Sequence, residues 1–202
     1  MKFQLIAFLL VSMTAFGQTQ ERAHKELFSN ATVDTTMSDY LPTVEKAHPN
    51  AKQLMSEEFY FSPIEETAPF GSDDGADTYA GFKDWRKEHK SDNPKDFLVQ
   101  QIKDWGYPTF DINETNLEKL KPYLAQSELG NRYMSGIDAS IVAIAFGQLY
   151  LEGTIDKDFK ETAKTAIKRE LIPELLVRWG KTYKVKRETQ LRKMLTILNN
   201  AD

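Results

Sequence analysis

The sequence predicts a mostly α protein, a single helical domain with one short strand or extended segment near residues 58–62. Three observations carry that prediction. Apolar residues recur at helical spacing through most of the chain after residue 72. Capping residues and prolines stand where those runs begin, and glycines stand where several of them end. One long stretch, residues 136–153, is apolar over most of its circumference, as a helix at the centre of a core must be.

The elements follow in order. Residues 1–17 read as a removable export signal: Lys2 gives the positive start, Phe3 to Met13 is mostly apolar, and Ala15-Phe16-Gly17 places small residues at a cleavage site. The run is shorter than the roughly 20 residues a membrane span needs. The expectation is an exported chain, periplasmic or secreted, cut near Gly17-Gln18, with no transmembrane span in its mature part. Residues 18–36 are polar and read as a flexible lead-in, and residues 37–202 as the domain.

Ser38-Asp39 is suited to cap a short helix with Pro42 in its first turn, and Pro49 opens another that buries Ala51, Leu54 and Met55. Three adjacent aromatics, Phe59-Tyr60-Phe61, suggest the extended segment. A helix over 74–89 places Ala76, Tyr79, Ala80, Phe82 and Trp85 on one arc. Asp92-Asn93-Pro94 starts the next, with Leu98, Ile102 and Trp105 on its buried face and Gly106 after it. Leu117, Leu120 and Leu124 mark a helix near 114–124, which Pro122 kinks or shortens.

The central helix is expected over 136–153, with Asp138 as N-cap and Gly153 as its stop. Its fifteen or so helical residues read as too few to cross a bilayer. Further helices are expected over 156–171, after Pro173, and over about 186–199. Trp85, Trp105 and Trp179 fall on the core-facing sides of their helices.

The stretch Pro69-Phe70-Gly71-Ser72-Asp73-Asp74-Gly75-Ala76-Asp77 invites a catalytic or metal reading, which its spacing largely removes. With Gly75 as the sixth position of a calcium loop, Phe70 falls at the first and Gly81 at the twelfth, and neither offers a side-chain ligand. Ser72 directly follows Gly71, which is the wrong spacing for a nucleophile elbow. A phosphate loop would need a lysine and would not place acids against an anion. A looser site remains open, built from Glu65, Glu66, Asp73, Asp74 and Asp77. The simpler reading is a turn at Pro69 and Gly71 feeding a helix that Ser72 or Asp73 caps, with acids against the positive end of its dipole.

Composition narrows the chemistry further. There is no cysteine, which excludes disulfides, thiolate zinc sites and cysteine nucleophiles. The three histidines, His24, His48 and His89, lack a second ligand at metal spacing. No cofactor is implied. Charge is uneven: residues 18–120 hold 20 acids and 11 bases, residues 160–193 hold 4 acids and 11 bases. Nucleic acid is a poor partner for an acidic, exported chain whose bases lack interleaved aromatics. A protein partner suits the uneven charge.

From Ala47 to His89 the chain resembles the uncharacterised bacterial YfeS-like family. The resemblance rests on the His48-Pro49 pair, a short helix, the aromatic segment, Glu65-Glu66, and Pro69-Phe70-Gly71-Ser72-Asp73-Asp74-Gly75-Ala76-Asp77 opening a helix that carries Trp85. It is close over about residues 47–110 and looser beyond. The helix start, with Glu174-Leu175 and Trp179 downstream, is also similar to a small bacterial domain of unknown function. Both resemblances imply a family and a fold, and neither implies an activity.

Two functional readings follow. The first is a binding or interaction protein, an immunity-like inhibitor being one concrete version. The second is a metal-dependent or paired-carboxylate hydrolase using the acids at 65–77. The latter needs two carboxylates about 5–10 Å apart in a cleft. A structural envelope protein is a third class. The absence of a catalytic constellation favours a protein that is not an enzyme.

Overall fold

A computed structural model describes residues 41–202, of which Pro42–Asp202 form one compact unit. The expected leader, the lead-in and the Ser38-Asp39 cap lie outside the described residues. From Leu41 the chain runs through turns, with no helix around Pro42.

Helix α1 spans Pro49–Leu54, with proline in its first turn and the His48 ring accepting from the Asn50 amide. A 3₁₀ turn follows over Glu58–Phe61. Helix α2 is Asp73–Glu88, capped by Ser72; α3 is Pro94–Asp104, capped by Asn93; α4 is Leu117–Ala125, capped by Asn116, with Pro122 inside it. Helix α5 is Gly130–Glu152, α6 is Lys157–Glu170 and α7 is Pro173–Leu176. A 3₁₀ turn over Val177–Trp179 leads into α8, Gly180–Asn200. The chain is mostly α, as the periodicity predicts.

Helix α5 is the axis. Ile141, Ala143, Ile144, Ala145, Phe146 and Leu149 are fully enclosed. Around them pack Tyr79 and Phe82 of α2, Leu98 and Ile102 of α3, Phe159, Ala163 and Ile167 of α6, and Leu191, Met194 and Leu198 of α8. Each large apolar side chain so buried contributes about 1.5–3 kcal/mol. At Gly147 a Cβ would stand 3.1 Å from the Tyr79 ring, so the missing side chain lets α2 lie close against α5. A smaller cluster of Leu120, Tyr123, Met134 and Leu175 sits under α4.

Three expectations are corrected here. Residues 58–61 are a 3₁₀ turn, and only the flanking Glu57 and Ser62 are extended. Tyr60 donates to the Glu57 carbonyl at 3.1 Å and Ser62 to that of Phe59 at 3.2 Å. An extended run would send consecutive aromatics to opposite faces. The turn instead sets Tyr60 on Phe146 and Phe61 on Tyr150, both against α5.

The central helix begins at Gly130, so Asp138 is a buried mid-helix residue and not its cap. The polar opening Gly130-Asn131-Arg132 hides this start. A Cβ on Gly130 would fall 2.3 Å from the Leu124 carbonyl oxygen, so the glycine is there for close packing. By length and composition Gly130–Glu152 could cross a membrane, yet 83% of its most apolar window is buried inside this fold. Its stop is as expected: Gly153 takes φ 77°, the left-handed region that glycine favours. Finally, α8 starts at Gly180, a turn and a half before the expected position, and so takes in the basic run Lys181–Arg187.

Candidate functional site

The acid-rich stretch forms a strap. Ser62 Oγ accepts from the Glu65 amide at 3.0 Å, the Ala68 amide donates to the Glu65 carbonyl at 2.7 Å, and the Gly71 amide to the Ala68 carbonyl at 3.2 Å. These linked turns reverse the chain between Ser62 and Ser72. A Cβ at Gly71 would lie 1.9 Å from the Glu65 carbonyl oxygen, so no other residue fits there. A Cβ at Gly75 would stand 2.8 Å from the Pro69 oxygen. Ser72 Oγ accepts from the Gly75 amide at 3.1 Å, which makes serine, and not Asp73, the cap of α2.

The five acids of the predicted site do not converge. Glu65 points to α8, accepting from the Tyr183 hydroxyl, from Lys186 Nζ at 2.9 Å and from Thr67 Oγ1 at 2.9 Å. The Tyr183 bond first, then Lys186, lowers its carboxyl to a pKa of about 2. Asp74 points to α5, held in a two-pronged pair by Arg132 at 2.6 and 3.1 Å and by the Tyr107 hydroxyl at 3.0 Å. Glu66 and Asp73 are exposed, and Asp77 is exposed one turn further along α2. Among the described residues, no three His, Asp or Glu side chains are grouped to hold a metal ion.

Between the strap and helices α5, α6 and α8 lies a cleft of about 590 Å³. Glu66, Asp73 and Asp74 stand on the strap side, Arg132 and Asp138 on α5, Glu170 at the end of α6, Arg178 and Trp179 on the 3₁₀ turn, and Arg187 on α8. The volume is that of an ordinary small-ligand pocket, which runs from about 300 to 1,000 Å³.

Two buried charge networks build the inner wall. Arg169 is completely enclosed. It donates to Asp138 through Nε at 3.1 Å and Nη2 at 2.6 Å, and through Nη1 to the carbonyls of Ile112 and Glu114 at 3.1 and 2.6 Å. Burial pushes the Asp138 carboxyl up from its ordinary value, against the pull of Arg169. Glu170 accepts from Arg187 Nε at 2.7 Å and Nη2 at 2.6 Å and from Trp179 Nε1 at 2.9 Å, and Arg178 Nη2 stands 3.1 Å away as an ion pair. Burial pushes the Glu170 carboxyl up too, but Arg187 and Arg178 outweigh it and hold the group below its ordinary value. Arg187 Nη1 also donates to the Thr67 carbonyl at 2.6 Å, so this network ties the strap to α8.

Chemically, the inner carboxylates are fully engaged. Glu170 is ionised with both oxygens bonded, and Asp138 is tied to Arg169. Their oxygens are taken up by these partners. The carboxylates with unused acceptor capacity are those on the rim, Glu66 and Asp73.

Sequence reasoning finds the rim and misses the wall: Arg169, Glu170, Arg178 and Arg187 enter it only as charge, and Arg132 does not enter it at all. A signal was present. Glu170 falls at helical spacing after Ala163, Ala166 and Ile167, on a face otherwise apolar. Asp138 stands in the most apolar stretch of the domain. Charges so placed are buried and paired. Trp85 and Trp179 do pack against the core, whereas Trp105 lies against Tyr107 at its edge.

No family model and no solved structure matches the chain. Among curated proteins, it is 26% identical over 140 residues to the uncharacterized protein YfeS of Escherichia coli (strain K12), a match that takes in 68% of this chain. The chain resembles YfeS. It spans about half the length of this curated relative, 55%. The likeness read from residues 47–89 is thereby borne out as a resemblance, and it brings no activity with it.

Proposed function

We propose that the chain is an exported binding module that engages a basic group of a macromolecular partner at the acid rim of the cleft. The observation that carries this reading is the division of labour among its acids. Glu65, Asp74, Asp138 and Glu170 are spent on holding the strap and the helices together. Glu66 and Asp73 stand exposed at the mouth, the arrangement that attracts and orients a cationic partner. An immunity-like inhibitor is one form of such a module. Export rests on the leader-like pattern of residues 1–17.

The test is capture of a partner from the envelope fraction with the purified chain, followed by Glu66→Ala/Asp73→Ala. A specific partner, released by raising the salt and lost in the double variant but kept in Asp77→Ala, is the expected result. Equal capture by the wild type and the double variant sinks the rim reading. N-terminal sequencing of the mature chain is expected to start at Gln18. The hydrolase alternative would place a divalent ion or a catalytic pair among Glu65, Glu66, Asp73, Asp74 and Asp77. The engagement of Glu65 with α8 and of Asp74 with Arg132 speaks against it.

A further inference from the structure

Most of the charges that line the cleft are matched in pairs. Arg132 is answered by Asp74, Arg187 by Glu170, and Asp138 by Arg169. Three charges are left over. Glu66 and Asp73, on the strap, make no hydrogen bond or ion pair among the described residues. Arg178, on the 3₁₀ turn, stands 3.1 Å from Glu170, whose single charge Arg187 already answers through two hydrogen bonds.

Arg178 is held in place rather than left to solvent. Its side chain is only 34% exposed, and its guanidinium lies 5.4 Å from the centre of the Trp179 ring. That ring is fixed in turn by the bond from its Nε1 to Glu170 at 2.9 Å. Arg178 Nη2 faces Glu170, while Nε and Nη1 donate to nothing among the described residues. A stacked, planar guanidinium with donors to spare is suited to a carboxylate.

The remaining lining includes an apolar floor of Ala139, Val142, Ala166 and Met194, the last three at most 8% exposed. Two groups separate the strap from Arg178. The Arg187 guanidinium donates to the Thr67 carbonyl at 2.6 Å, and the Glu170 carboxylate lies between Arg187 and Arg178. One residue of a ligand spans such a gap.

The occupant therefore carries a cation for the strap, an apolar stem for the floor and an anion for Arg178. We propose that the basic group taken at the rim belongs to a C-terminal lysine or arginine of the partner. Its side-chain cation meets Glu66 and Asp73, its methylene stem lies on the floor, and its terminal carboxylate is bound by Arg178. A basic residue inside a chain supplies the cation and the stem but leaves Arg178 unanswered. This inference rests on the reading of the rim given above and adds the carboxylate to it.

The experiment is fluorescence anisotropy of the purified chain with a dye-labelled Gly-Gly-Ser-Lys peptide that ends in a free carboxylate. Two companions are the same peptide as its C-terminal amide and one ending in alanine. The free acid is expected to bind, and each companion to bind at least about tenfold more weakly. Arg178→Gln leaves Arg187 on Glu170, so its thermal melt stays near that of the wild type while the preference for acid over amide disappears. Glu66→Ala/Asp73→Ala removes the preference for lysine over alanine. Acid and amide bound equally, and both lost in the rim double variant, would overturn this inference and leave the rim reading standing. Binding indifferent to the rim variant overturns both. No binding of the free acid up to about 1 mM overturns the inference, while capture from the envelope fraction still decides the rim reading. Free lysine that competes as well as the peptide overturns a polypeptide as the source.

Discussion

Removing the charge of Glu170 while keeping its shape tests how the cleft wall is held. In Glu170→Gln, one oxygen remains to accept from Trp179 Nε1 and Arg187 Nε. The new amide group then faces Arg187, whose Nη2 donates to the carboxylate at 2.6 Å. At least one charge-assisted bond is lost, worth about 1.5–3 kcal/mol. The Arg187 guanidinium, whose side chain is 10% exposed, also loses its counter-charge. Breaking a buried pair from one side costs about 3–5 kcal/mol. Arg178, a third exposed, adds little.

The expected loss is therefore about 3–5 kcal/mol. With an m-value of about 2 kcal/mol per molar in urea, the unfolding midpoint falls by about 1.5–2.5 M at unchanged slope. The acid limb supplies an independent check. A folded-state carboxyl below its ordinary value contributes stability above the unfolded value and loses it as pH falls through the folded one. The wild type thus loses more stability on acidification than the glutamine variant does. A loss under about 1 kcal/mol, or identical acid limbs, would refute the view of Glu170 as an ionised, buried clamp.

Other perturbations follow from the same geometry. Gly71→Ala drives a Cβ into the Glu65 carbonyl and is expected to cost about 1–3 kcal/mol or more in urea unfolding, as overpacking does; a neutral result means that the strap turns differently. Ser72→Ala removes the cap of α2 and should cost about 1 kcal/mol by the same measurement. Glu65, with a folded pKa of about 2 against an ordinary 4.5, adds stability that is present above pH 4.5 and fades as pH falls toward 2; Glu65→Gln should flatten thermal-melt profiles in that window and leave their shape at pH 7–8 unchanged. Calcium, magnesium, manganese and zinc are each expected to leave the melting temperature of the wild type where it is; a rise that Asp74→Ala abolishes would return the metal-site reading.

Much of the architecture was legible because helices in this chain carry their own punctuation. Asn93-Pro94 opens α3 and Gly153 stops α5 as expected. The failures have a common cause in tertiary packing. The expected start of α5 misses its first turns, Gly130 to Ser135, where glycine is required because a side chain at Gly130 would strike the Leu124 carbonyl. The aromatic triplet reads as a strand, yet no strand lies among the described residues to pair with it, and two of its rings are needed on α5. The cleft was half visible for a related reason. Exposed acids near one another in sequence draw the eye, whereas Asp138 meets Arg169 across 31 residues and Thr67 meets Arg187 across 120. Those pairings exist only after the helices have packed.

The last of these distances has a temporal meaning. The strap leaves the ribosome more than a hundred residues before Tyr183, Lys186 and Arg187, which hold its outer edge. A chain that stops short of Arg187 can wind α2, α5 and α6, but it leaves Glu170 without its principal counter-ion and the strap untethered from α8. The cleft is thus assembled only once Arg187 has been made.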